Sequence, residues 1–169
     1  MPPQASPLLV CVDSCALMAL ANHQRAAWRV LRLIRQRVPG AVFVVPSTVL
    51  EELGHLSNDF DNTERQRLAS EALGEIGSGL LPDFRYLNLT DEQLDRAERA
   101  ARRLCREKLL PPEEWHDACI ICEAAVSGCA YLLTEDTHLL GISKKRLGQV
   151  LFLMGLPAPD FISCSSALT

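Results

Sequence analysis

The sequence predicts an α/β fold, an α/β/α sandwich built on a central, mainly parallel sheet of four to five strands. Three observations lead there. Short apolar runs alternate with segments of helical character along the whole chain, the order expected of parallel strands joined by right-handed helical crossovers. Acidic residues stand just past or beside those runs, where an open parallel sheet keeps its ligand crevice. With 169 residues and 48% apolar content, the chain is expected to be one domain, spanning 1–169, with enough apolar surface for a core.

The elements follow in order. The run PLLVCVDS reads as a strand at 8–13, and CALMALA as a helix at 14–21 that begins at once. A second helix is read near 24–38, and the β-branched run ending at Pro46 gives a strand at 41–46. Ser47 is the expected N-cap of a helix at 47–57. Another helix at about 63–77 is ended by the glycines at 77 and 79. Phe84 to Leu89 reads as a short strand, and Thr90 caps a charged helix running to about Lys108, with Glu98 and Arg102 at i,i+4 spacing. Pro111 and Pro112 precede a helix at 113–127, followed by a strand at 130–133 and a helix around 143–154. No internal repeat, low-complexity block or linker divides the chain.

Four acids carry the chemistry of this pattern: Asp13, Glu52, Asp117 and Asp136. Asp13 leaves the first strand, Glu52 lies in the second turn of the helix after Ser47, Asp117 lies in the first turns of its helix, and Asp136 follows the strand that ends at Thr134. Taken singly, an Asp after a strand is most often a helix cap, and Glu52 a solvated helix residue. Taken as an ordered set, they can line a hard, oxygen-rich pocket for Mg²⁺ or Mn²⁺, which suits phosphodiester hydrolysis by an activated water. Carboxylates so close would repel one another, and a divalent cation relieves that repulsion. Thr134 is expected to orient the Asp136 turn through its hydroxyl. Glu51, Glu114 and Glu135 read as solvated neighbours.

In this order and context, the stretches resemble the PIN-domain nucleases, the family that includes VapC-type toxins and several RNA-processing and RNA-decay nucleases. The matching segments are VCVDS around Asp13, VVPSTVLEEL around Glu52, HDACIICEAAVSGCAYLLTED around Asp117 and Asp136, and GLPAPDFI near the end. The resemblance implies that Asp13, Glu52, Asp117 and Asp136 are both the metal ligands and the catalytic acids of an RNA endonuclease. Glu52 is chosen over Glu51 because the family's glutamate directly precedes the leucine of an E-L pair, here Leu53. Family members usually carry Ser, Thr or Asn two places after the first Asp; this chain has Cys15 there, and Ser14 takes over the polar contact. The segment at about 54–90 is longer than in compact toxins of the family. RNA is the implied substrate, and an antitoxin, a ribonucleoprotein partner or a second copy of the chain stay open as protein partners.

Composition excludes other classes. A net charge of −4 and a pI near 5.6 argue against a protein that grips nucleic acid by bulk charge. Local charge offers two candidates: Lys144, Lys145 and Arg146, which follow Asp136 within about ten residues, and Arg25, Arg29, Arg32 and Arg35, which share about 120° of one helix face. The N-terminal MPPQASP lacks a basic region and a long apolar run, and no stretch approaches a membrane span, so a cytoplasmic protein is expected. The seven cysteines fall mostly in apolar segments and read as small buried hydrophobes; the single C-x-x-C, Cys119 to Cys122, lacks the second half of a zinc site. Asp59, Asp61 and Thr63 lack the glycine and glutamate of a calcium loop. Two other readings compete with the nuclease. A haloacid-dehalogenase-like phosphotransferase would use Asp13 as nucleophile but wants a second Asp where Cys15 stands, and an inactive RNA- or protein-binding PIN module would have no need of four intact acids.

Overall fold

The computed structural model describes residues 6–79, 81 and 83–165. The reading of the first residues, Met1 to Ala5, as free of a targeting signal lies outside the described residues, as do both ends of the 1–169 span. Five strands form the sheet: β1 (Leu9–Val12), β2 (Val42–Val45), β3 (Phe84–Tyr86), β4 (Tyr131–Leu133) and β5 (Asp160–Ile162). Their order is β3-β2-β1-β4-β5, and every neighbouring pair is parallel. The expected α/β architecture is therefore present, with the sheet wholly rather than mainly parallel.

Parallel pairing demands a crossover between strands, and helices supply it. These are α1 (Ser14–Ala21), α2 (Arg25–Arg37), α3 (Ser47–Leu56), α4 (Thr63–Gly77), α5 (Asp91–Arg106), α6 (Trp115–Val126), α7 (Thr137–Leu140) and α8 (Lys144–Phe152). The chain moves outward from β1 through β2 to β3, then returns to lay β4 on the other side of β1. Right-handed crossovers then put α1–α4 on one face of the sheet and α5–α8 on the other. Most helix contacts follow that division, α3 and α4 both packing with α1 while α5 packs with α6 and α8, and α3 also packs with α6, where Thr48 meets Glu123. The reversal between β1 and β4 is the switch point at which an open parallel sheet leaves a crevice outside its strand ends. Asp13 leaves β1 at that point, and Thr134 to Asp136 leave β4.

The core is layered on both faces of the central strands. Val10, Cys11, Val12, Phe43, Val45, Leu132 and Leu133 are buried, as the continuous apolar runs of a two-sided parallel sheet require. Phe43 and Phe84 stack with ring centroids 5.0 Å apart and planes 14° apart, fixing β2 against β3. Arg35 lies over the Phe43 ring, 5.8 Å from its centroid, and its fork grips Asp83 through two contacts of 2.5 Å. Helix starts carry their chemistry: Thr90 Oγ1 accepts from Gln93 N–H (3.2 Å) while Gln93 Oε1 accepts from Thr90 N–H (2.9 Å), a complete capping box on α5.

Three local differences from the sequence reading have plain causes. β5 is missing from the expected elements because it has only three residues, all half-buried, after a proline-rich lead. α7 is one turn, too short to leave a periodic signal. Of Phe84 to Leu89, only Phe84–Tyr86 pairs with β2. All seven cysteines are free, four of them buried. Among the described residues, no helix is long and apolar enough to cross a membrane.

The Phe43–Phe84 stack generates a stability test. Phe43 is fully buried, so Phe43→Ala is expected to lower unfolding stability by about 3–5 kcal/mol, read as a fall in the urea midpoint at unchanged slope.

Candidate active site

Asp13 ends β1 and caps α1. Its Oδ1 accepts from Ser14 N–H at 2.6 Å, and its Oδ2 accepts from the Thr134 hydroxyl at 2.7 Å and the Cys15 thiol at 3.1 Å. The side chain is buried, and these three donors compensate its desolvation. Ser14 Oγ lies 3.2 Å from Asp13 Oδ1 and gives its one proton at 2.8 Å to Glu52 Oε2 on α3. Thr134 Oγ1 in turn accepts from Asp136 N–H at 3.0 Å, and Asp136 Oδ1 accepts from His138 N–H at 2.6 Å, capping α7. Asp13 and Asp136 thus hold helix starts in place as well as facing the edge of the sheet.

Asp117 reaches the same edge from the first turn of α6. Burial, a hydrogen bond shared with Glu114, and the charges of Asp13 and Asp136 push its pKa up to about 8. Burial also raises Glu52, with further upward pressure from Asp13 and Asp136, opposed by the Ser14 hydroxyl and by His116. Each of these carboxyls therefore feels Asp13 and Asp136, so the four acids share one electrostatic neighbourhood. Asp117 Oδ2 is buried with no hydrogen-bond partner.

Glu114 and Glu135, read from sequence as solvated neighbours, both have structural partners. Glu114 Oε1 lies 3.0 Å from His138 Nδ1, and its hydrogen bonds with Asp117 and then His138 hold its pKa below the usual value. Glu135 accepts from Cys164 N–H and, at 3.0 Å, from the Ser165 hydroxyl, fastening the chain after β5. Glu51 is exposed. Sequence reasoning missed Glu123, a buried carboxylate on α6 that accepts from the Thr48 hydroxyl and lies 3.5 Å from Ser47 Oγ. Burial raises its pKa and the Thr48 bond opposes that rise. Its signal is present in the chain, since it is the sole charge in the run from Ala118 to Val126.

The basic candidates are less concentrated. Lys144 Nζ lies 2.5 Å from Asp160 Oδ1 at the start of β5, and Arg146 Nη2 donates to the Glu107 carbonyl at 2.8 Å. Lys145 is exposed, as are Arg25, Arg29 and Arg32 on α2, whereas Arg35 is committed to Asp83.

Among the described residues, no group of three or more His, Cys, Asp or Glu side chains already stands at metal-holding geometry. The fit to a cation rests instead on chemistry: an all-oxygen donor set, mutual charge repulsion, and one buried oxygen on Asp117 without a partner. Those properties suit a hard divalent ion such as Mg²⁺ or Mn²⁺.

The family model described as the PIN domain matches residues 10–145. No curated protein matches the chain. Among solved structures, the fold is similar to that of VapBC2 from Rickettsia felis bound to a DNA fragment from their promoter, with a TM-score of 0.61 at 13% identity over 92% of this chain and 98% of that one. It is similar to DNA-bound VapBC from Salmonella typhimurium, with a TM-score of 0.55 at 13% identity over 93% and 98%. It is also similar to VapC20 from Mycobacterium tuberculosis, a sarcin-ricin-loop-cleaving toxin, with a TM-score of 0.50 at 20% identity over 80% and 97%. At these identities the likeness is one of fold.

The raised Asp117 pKa sets a pH dependence. Between the unfolded value of 3.8 and the folded value of about 8, the folded protein binds a proton the unfolded chain has released, so stability falls as pH rises through that window. Metal-free wild type is expected to lose denaturant resistance steadily from pH 6 to pH 8. Asp117→Asn should flatten that fall in the same titration, leaving the smaller share of Glu52 and Glu123, which have the same sign. Parallel curves for the two proteins would remove Asp117 from the cluster.

Proposed function

The chain belongs to the PIN domain family, and from that premise we propose that it is a cytoplasmic, metal-dependent endoribonuclease, a single PIN-like domain cutting RNA at Asp13, Glu52, Asp117 and Asp136. The observation that carries the reading is the buried, unpartnered Asp117 Oδ2 within a set of four mutually repelling carboxylates at the sheet's switch point.

Asp13, Glu52, Asp117 and Asp136 would hold one or two Mg²⁺ or Mn²⁺ ions. When bound, the cation supplies Lewis-acid activation of water and neutralises charge on the phosphate. The protein's part is orientation. The Thr134 hydroxyl and the Ser14 amide aim Asp13, the Ser14 hydroxyl aims Glu52, and the His138 amide aims Asp136. A protein nucleophile is unnecessary: burial and the nearby Asp13 charge hold the Cys15 thiol far above its usual pKa, so it stays a neutral donor to Asp13.

One of the structural neighbours is a sarcin-ricin-loop-cleaving toxin, which supports RNA as the substrate class. The VapBC neighbours support an antitoxin as the protein partner. Lys144, Lys145 and Arg146, with Arg25, Arg29 and Arg32 as a second face, are the proposed phosphate contacts; the exposed Lys144–Asp160 pair, worth little in water, does not remove Lys144 from that role.

Labelled RNA should be cut in Mn²⁺ or Mg²⁺ and left intact in EDTA, with a phosphatase substrate untouched. Asp13→Asn or Asp117→Asn should lower the cleavage rate by at least ~10²-fold, the scale for losing a principal electrostatic stabiliser; wild-type rates would sink the site. Replacing Lys144, Lys145 and Arg146 with Ala should reduce the log–log salt slope of RNA binding by roughly 0.7 for each phosphate the protein no longer neutralises. An unchanged slope would move the RNA path elsewhere.

A further inference from the structure

We propose that the cleft between the last turns of α5 and the start of α6 is a nucleotide subsite, in which one base of a single-stranded RNA stacks on the Arg102–Trp115 pair while Arg106 takes its phosphate. The proposal rests on the nuclease reading and deepens it, since neither α5 nor Trp115 has a part in the carboxylate edge.

The cleft holds about 460 Å³ and is lined by Arg102, Cys105, Arg106, Pro112 and Trp115. Its lining contains two cations and no carboxylate. The Arg102 guanidinium lies over the Trp115 ring, 5.7 Å from the centroid, and Glu98 holds it in place at 2.5 Å. The half-exposed indole and the guanidinium thus form a preset cation–π pair, and both are groups on which nucleobases stack. Arg106 is exposed, and the ion pairs of this helix use Arg102 and Arg103 but not Arg106.

Charge selects the occupant. Arg146 donates to the Glu107 carbonyl just past the end of α5, so its guanidinium stands at the helix end where Arg106 and Lys108 are exposed. Cations beside a half-exposed indole, on a chain of net charge −4, suit a ligand that carries both an aromatic ring and an anion, as each nucleotide of a single strand does. Trp115 and Asp117 share the first turn of α6 but, two residues apart, point about 200° from each other around the helix. Glu114, the residue before that turn, meets His138 beside Asp136. The subsite therefore takes a nucleotide of the strand other than those flanking the cut bond.

The protein contains two tryptophans, so Trp28→Phe leaves Trp115 as the sole indole reporter. Combined with Asp13→Asn to slow cleavage, this protein is titrated in Mn²⁺ with a short single-stranded RNA. The expected result is saturable quenching of Trp115 fluorescence. Affinity should fall about 5- to 150-fold in Trp115→Leu, the range for losing one base–aromatic stack, and recover largely in Trp115→Phe. Arg106→Ala should lower the salt slope by about 0.7, the share of one phosphate on a single strand. If wild type cuts RNA but the indole is silent and both the affinity and the slope are unchanged, the subsite is wrong and the nuclease reading stands. If RNA is neither bound nor cut, both fall. Should Trp115→Leu fail to fold, the indole signal and the arginine slope still decide.

Discussion

Two hydroxyls make the site possible. Carboxylates placed side by side at a half-buried edge repel, and each loses hydration that must be replaced. Ser14 joins Asp13 to Glu52, and Thr134 joins Asp13 to the backbone of Asp136. One comes from the helix after β1, the other from the end of β4, so the bonds span the place where the strand order reverses. The topology and the tethers depend on each other: without β4 lying against β1, Thr134 has no Asp13 to bind, and without Thr134 the Asp13 carboxylate loses its shortest side-chain donor.

The same arrangement divides labour among the acids. Asp13 and Asp136 accept from amides at helix starts, which orients both carboxylates. Asp117 has no such support. It enters from the opposite face, carries an unpartnered oxygen, and is pushed toward its neutral form by burial and by its neighbours. Burial is the largest cause of that rise, with the Glu114 bond and the Asp13 and Asp136 charges adding to it.

Much of this is legible in the sequence because it follows from local rules. The strands at β1, β2 and β4 are continuous apolar runs, Thr90 marks the start of α5 by its side-chain cap, and Gly79, at positive φ, follows the end of α4. Ser47, expected as an N-cap, is instead the first residue of α3, whose cap position is Pro46 without a side-chain bond. What escapes depends on tertiary packing. β5 has no periodicity, only a place beside β4. Glu123 looks like an intrusion in an apolar helix until Thr48 is seen to meet it. Glu114 and Glu135 look solvated in one dimension, yet each is bonded to residues more than twenty positions away. The arginines of α2 and α5 look alike as charge patterns. Only the fold distinguishes Arg35, held by Asp83, from Arg102, laid over Trp115.

Cys15 shows how a departure from a family pattern can be absorbed. The family usually carries a hydroxyl or amide two residues after the first Asp, and a thiol is a weaker hydrogen-bonding group than either. Here the thiol still donates to Asp13 Oδ2 at 3.1 Å and accepts from Glu135 N–H at 3.1 Å, so it keeps the geometry of the position without its strength. The stronger bonds have moved one residue earlier, to Ser14, and across the sheet, to Thr134. Because Asp13 is the N-cap of α1, Ser14 stands at the first helical position, where its amide serves the Asp13 carboxylate and its hydroxyl reaches Glu52. The polar requirement of the site is thus met by a neighbouring residue, which leaves position 15 free to hold a small, half-buried thiol.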